Sequence, residues 1–189
     1  MWPALEGPGL TPTCAHECPK DHRYIERSRP ELMKDELAKA LLDGLYGKHT
    51  HPDPVDAVRG LTYDTASQRV SEKVHSSLDL LYHLVFWQDL CLEAARGEKD
   101  VKWPEAAGED WPQPGSQIEW DVLVKRFRKG LKEGERIVAE VDLVMPLPAW
   151  RNIPMLRAMI VLAQHNSYHL GQIVTNRIAQ GTWPPPKPE

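Results

Sequence analysis

The chain has 189 residues, 41% of them hydrophobic and 26% charged, with a formal net charge of −4. One compact domain accounts for that length, and basic residues scattered along the chain give no footprint for a nucleic-acid partner. No run approaches the roughly eighteen continuous apolar residues of a membrane span, so no membrane partner is expected.

The beginning, Met1-Trp-Pro-Ala-Leu-Glu6, lacks the basic and apolar regions of a signal peptide, and an odd count of three cysteines, Cys14, Cys18 and Cys91, fits reduced thiols. Both readings predict a cytoplasmic protein. Residues 1–28 carry prolines at 3, 8, 12 and 19 and no apolar period, which reads as an extended arm. Within it, Cys14-Ala-His-Glu-Cys18 and His22 offer metal-binding side chains. The spacing is not that of a zinc finger, however, and ligands so close together strain a tetrahedron. The role of that segment stays open.

Residues 29–182 form the expected domain, all-α and built on four long helices. The first runs from about Arg29 to Gly47 on a stripe of Leu32, Leu37, Leu41, Leu42 and Leu45, weakened at its end by Gly44 and Gly47. His49-Thr-His-Pro-Asp-Pro54 breaks it. A shorter helical piece over 55–69 leads to the second helix, Ser77 to Arg96, dense in leucine and ended by Gly97. The proline-rich stretch 102–115 reads as a long loop able to act as a lid. Ser116 and Glu119 have capping-box spacing and predict a third helix over 117–141. Asn152 and Pro154 mark the start of a fourth, 153–180, roughly 42 Å long and closed by Gly181. Residues 183–189 read as a short polyproline tail.

Chemistry concentrates in the fourth helix, in Leu162-Ala-Gln-His-Asn-Ser-Tyr-His-Leu-Gly-Gln172. His165 and His169 are four residues apart, about one helical turn, so both imidazoles leave one face and can reach one ion. Gln172 continues the stripe. Two histidines make half a tetrahedral site, and a third ligand must come from another helix. His83, mid-helix in Leu80-Leu-Tyr-His-Leu-Val-Phe-Trp87, is the best candidate, while His75, His49 and His51 read as solvated loop residues. Three core histidines satisfied by ordinary hydrogen bonds are the alternative. Asn166 stands where the HExxH motif has its glutamate, so a zincin-type protease is excluded.

Tyr82-His-Leu-Val-Phe-Trp-Gln-Asp89 and His165-Asn-Ser-Tyr-His-Leu-Gly-Gln-Ile173 resemble the two signature segments of the DinB/YfiT-like metalloenzyme superfamily. The order matches: one histidine in the second bundle helix, then a His-x-x-x-His-x-Gly-Gln run in the fourth. Ser77-Leu-Asp-Leu-Leu-Tyr-His83 is similar to that family's approach to its first histidine, and the resemblance covers about residues 29–186. It implies an up-down-down-up four-helix bundle with a divalent ion, zinc or nickel, on His83, His165 and His169. It also implies a homodimer, and a small-molecule substrate handled with a low-molecular-weight thiol of the mycothiol or bacillithiol kind. S-transfer or isomerisation is the expected reaction. A metal-binding stress protein without turnover and a metal-dependent hydrolase are the alternatives.

Supporting roles follow from helical geometry. Asp79, one turn before His83, either orients an imidazole or stabilises the first turn of its helix. Gln172 either hydrogen-bonds a ligand or links helices, and Trp87 is core or the wall of a substrate pocket. Gly171 reads as room for close helix packing. No Ser–His–Asp arrangement, phosphate loop or dinucleotide fingerprint is evident, so catalytic residues beyond the ion are not assigned.

Overall fold

The computed structural model describes residues 28–113 and 116–187. Apart from Ser28, the expected N-terminal arm with Cys14, Cys18 and His22 lies outside the described residues, as do the last two residues of the tail. The described chain is all-α except for one two-stranded sheet. Its elements are α1 (Arg29–Leu45), α2 (Pro54–Val58), α3 (Tyr63–Ser67), α4 (Ser77–Ala95), α5 (Trp120–Glu140), β1 (Pro146–Leu147), β2 (Ile153–Pro154) and α6 (Met155–Ala179).

Periodicity explains the long helices. In α5 the buried residues Trp120, Leu123, Phe127, Leu131, Gly134 and Ile137 recur every three or four positions, which lays one stripe on the core. By contrast α4 is buried around most of its circumference and sits at the centre, packed on α5 and α6, while α1 packs on the other sides of the same two helices. Two glycines permit this closeness. A side chain at Gly130 would collide with Gln88 of α4, whose Nε2 donates to the Phe127 carbonyl, and one at Gly134 would press Leu45 of α1 at 3.3 Å.

Cross-links give the relative directions. Ion pairs join Asp89 to Arg126 and Arg96 to Glu133, so α4 and α5 run the same way. The Asn176 amide donates to the His75 carbonyl at 2.9 Å while His83 meets His165, so α6 runs opposite to α4.

Several boundaries differ from the sequence reading. The piece over 55–69 is two short helices, α2 capped by Asp53 and α3 by Thr62. Ser116 and Glu119 make no capping box: α5 begins at Trp120 with Glu119 as an N-cap that forms no side-chain cap bond. A real box opens α4, where Ser76 accepts from the Asp79 N–H and Asp79 accepts from the Ser76 N–H. Asn152 does not start α6 either, because it and Arg151 are left-handed, at φ 58° and 51°. The antiparallel pairing of Leu147 with Ile153 intervenes, and α6 opens with the Met155 and Leu156 N–H groups donating to the carbonyls of Met145 and Leu143. Main-chain partners do there what a cap does elsewhere.

The stripe expected on α1 is real only in its second half. Leu41 and Leu45 are buried, whereas Leu32 and Leu37 are 50% and 41% exposed. At the other end the tail folds back, with the Trp183 ring 5.3 Å from the Arg177 guanidinium and Pro186 against Gly60. No helix among the described residues is long and apolar enough to cross a membrane.

Candidate metal centre

Burial and helical spacing put His83 on α4 and His165 and His169 on α6 around one point, each offering a ring nitrogen, all within 4.8 Å of one another. His83 and His169 are buried and His165 nearly so. His83 Nε2 lies 3.0 Å from His165 Nε2. The other nitrogens of two rings are committed. His83 Nδ1–H faces the Asp110 carbonyl and Oδ2, both at 3.2 Å, and His169 Nδ1–H donates to Gln172 Oε1 at 2.7 Å. Each of these neutral imidazoles therefore carries its lone pair on Nε2, the nitrogen left for a metal.

Among the described residues, His165 Nδ1 is buried with no hydrogen-bond partner, and neither polar atom of the neighbouring Asn166 side chain has one. Electrostatics agree with a ligand role. Burial first, then the neighbouring His169 and His83, pushes His165 down to about 4; burial likewise lowers His83 and His169. All three are thus neutral at pH 7, the state that ligates. A divalent ion fits this donor set: neutral imidazoles with their lone pairs converging and two rings oriented by acceptors.

Trp111 covers the group. Its indole lies flat between His83, at 4.1 Å and 13°, and His75, at 3.8 Å and 12°. Trp87 is half-buried beside the histidines, edge-on to His83 and His165, and its indole N–H donates to Asp110 Oδ2 at 3.0 Å. Asp110 and Trp111 both belong to the long loop between α4 and α5. Sequence reasoning missed them as site residues, because a loop has no period from which inward-facing positions can be read; the one signal was the expectation of a lid.

Other assignments change. Asp79 does not touch His83; its carboxylate caps α4 and pairs with Arg69 at 2.7 Å, with His75 Nδ1 3.8 Å away. The carboxylate on His83 is that of Asp110. His51 is not a free loop residue, since its Nδ1 donates to the Pro52 carbonyl and its Nε2 meets Ser167 Oγ at 2.9 Å. Gly171 serves no helix packing: it is exposed, and a Cβ there would meet nothing within 4 Å.

No family model, curated protein or solved structure matches this chain.

Proposed function

We propose that this chain is a DinB-like metalloenzyme, an up-down-down-up four-helix bundle that binds one divalent ion, zinc or nickel, through His83, His165 and His169. Its proposed reaction is S-transfer or isomerisation of a small molecule with a low-molecular-weight thiol, in the cytoplasm and as a homodimer. The observation that carries the reading is the convergence within 4.8 Å of three neutral imidazoles, two buried and one half-buried. The shared direction of α4 and α5, with α6 opposed, supports the topology, and the long α4–α5 loop has the length that a parallel crossover needs. The exposed Leu32, Met33 and Leu37 on α1 are an apolar patch compatible with a second copy.

When bound, a divalent ion supplies Lewis acidity that lowers the pKa of a thiol or a water in an open coordination position. The chain's own residues do the rest. Asp110 and Gln172 hold two imidazoles in the ligating tautomer, and Trp87 and Trp111 exclude water from their faces. The Asp110 carboxylate stands behind His83 as carboxylates do behind metal-ligating histidines. Because that carboxylate is engaged by His83 and Trp87, it is not a free base, which weighs against hydrolysis.

The test begins with metal content. One equivalent is expected in anaerobically purified wild type, with sharp losses in His165→Ala and His169→Ala; unchanged content in either variant would falsify the ligand assignment. Cobalt-substituted protein titrated with thiols should then develop a thiolate charge-transfer band. A metal-loaded protein that shows no band with any thiol is not the proposed transferase. Sedimentation at micromolar concentration checks the dimer, and a mass near 21.5 kDa excludes it.

A further inference from the structure

Gly171 stands in the interior of α6 without the positive φ that favours glycine, and nothing among the described residues lies within 4 Å of where its Cβ would be. Neither a turn nor helix packing explains a residue that weakens a helix by about 1 kcal/mol relative to alanine. The remaining reason for glycine is the close approach to bare backbone of something other than the described residues, which the test below takes as a small molecule. Gly171 is part of the wall of a cavity of about 500 Å³, shared with Lys73, His75, Tyr168, Gln172 and Thr175. That volume is in the range of small-molecule sites.

None of the three histidines lines the cavity, but two residues of its wall lead to them. Gln172 lines it and also accepts from His169, while His75 lines it and stacks on the Trp111 indole that covers His83. Its lining has a sign. Lys73 brings a positive charge and Gln172 and Asn176 bring amides, but no Asp or Glu takes part. Asp79, 3.8 Å from His75 Nδ1, is paired with Arg69 at 2.7 Å. Val74, Leu80 and the Tyr168 ring supply an apolar surface. Three neutral imidazoles also leave the charge of a divalent ion uncompensated, which favours an anion nearby.

We propose that this cavity binds a small organic anion, with its acidic head group toward Lys73 and its apolar body across Gly171 against Tyr168 and Leu80, as the substrate chamber of the metal centre. The role as substrate chamber rests on the metalloenzyme reading; the binding does not. Isothermal titration of the full chain, metal-loaded and chelated, with 3-phenylpropionate and with the neutral 3-phenylpropanol separates charge from shape. The acid should bind at least about tenfold more tightly than the alcohol, and Lys73→Gln should shrink that ratio to about threefold. Gly171→Trp, filling the cavity from an exposed helix position, should abolish binding of the acid with metal content unchanged. Lys73 is an exposed residue outside the helices, so its substitution leaves the fold intact and keeps the charge test valid even if the tryptophan variant fails to fold. Equal binding of acid and alcohol, binding of neither, or wild-type affinity in a folded Gly171→Trp protein overturns the proposal. Selective acid binding by a protein that takes up no metal would leave the cavity standing and remove the metal reading. Metal uptake without acid binding does the reverse.

Discussion

Helix α6 carries two kinds of nitrogen base about two to three turns apart, and it satisfies them in opposite ways. Arg177 is 1% exposed, yet no carboxylate among the described residues meets it. Its guanidinium donates to the carbonyls of Asp56 and Ala57 at the end of α2 and of Thr182 beyond α6, and lies by the Trp183 ring. The cation there is surrounded by oxygen, and the cluster is closed apart from one unpaired Nε. Around His165 the reverse holds. Burial has driven the rings neutral, two nitrogens face each other, and another has no partner. Polar burial that is complete in itself is a structural device, whereas converging imidazole nitrogens with polar atoms left over make a group that could hold an ion.

Breaking each centre in turn is the strongest test of that distinction. Arg177→Ala strands one buried and two partly buried carbonyls and leaves a cavity, so urea unfolding should show a loss of about 3–5 kcal/mol while metal content per folded chain is unchanged. His169→Ala should do the opposite, losing the ion but shifting metal-free stability by no more than about 1 kcal/mol. Equal stability losses in the two metal-free variants would erase the contrast.

Asp110→Asn sharpens it further. Removing the charge behind His83 should weaken metal affinity by about 10- to 100-fold, read by competition with a chelator, with the fold intact. An unchanged affinity would reduce Asp110 to a loop anchor.

Acid gives a smaller, graded effect. The histidines' folded pKa values lie below the unfolded value of about 6.5, so unfolding takes up protons once the pH drops beneath it. Their contribution to metal-free stability should be constant above pH 6.5, fall from there toward about 4 and then level off for His165, with a shallower slope in His165→Ala. Arg177 stays charged across that window and should add no slope. Smallest of all, Gly171→Ala should raise the melting temperature slightly, by about 0.5–1 kcal/mol of stability, because nothing opposes the added methyl.

What could be read in the sequence followed helical period. His83, His165 and His169 stood out as polar interruptions of apolar faces, and α4, α5 and α6 were legible from their stripes. Asp110 and Trp111 were not, since their approach to His83 depends on how a loop between distant helices closes. Arg177 was hidden for a similar reason: its partners are carbonyls, which no side-chain pattern encodes. Ser116 and Glu119 show the converse error, in which a spacing that matches a cap carries no cap because the chain stays extended until Trp120. The Leu32 and Leu37 stripe shows that period reports amphipathicity but not which length of a helix finds a partner.

The junction between β1 and α6 has a consequence for inheritance. Met155 and Leu156 hang from the carbonyls of Met145 and Leu143, so main-chain bonds fix the start of α6 in phase with the buried stripe that follows it. Substitutions across 148–152 leave those two bonds in place, although the left-handed backbone at Arg151 and Asn152 limits which residues fit there. One codon gained or lost between that anchor and His165 would rotate everything downstream by about 100° and carry both imidazoles off the face that meets His83. Lineages of this chain should therefore vary in the letters of that hairpin while preserving the number of residues from Met155 to His165.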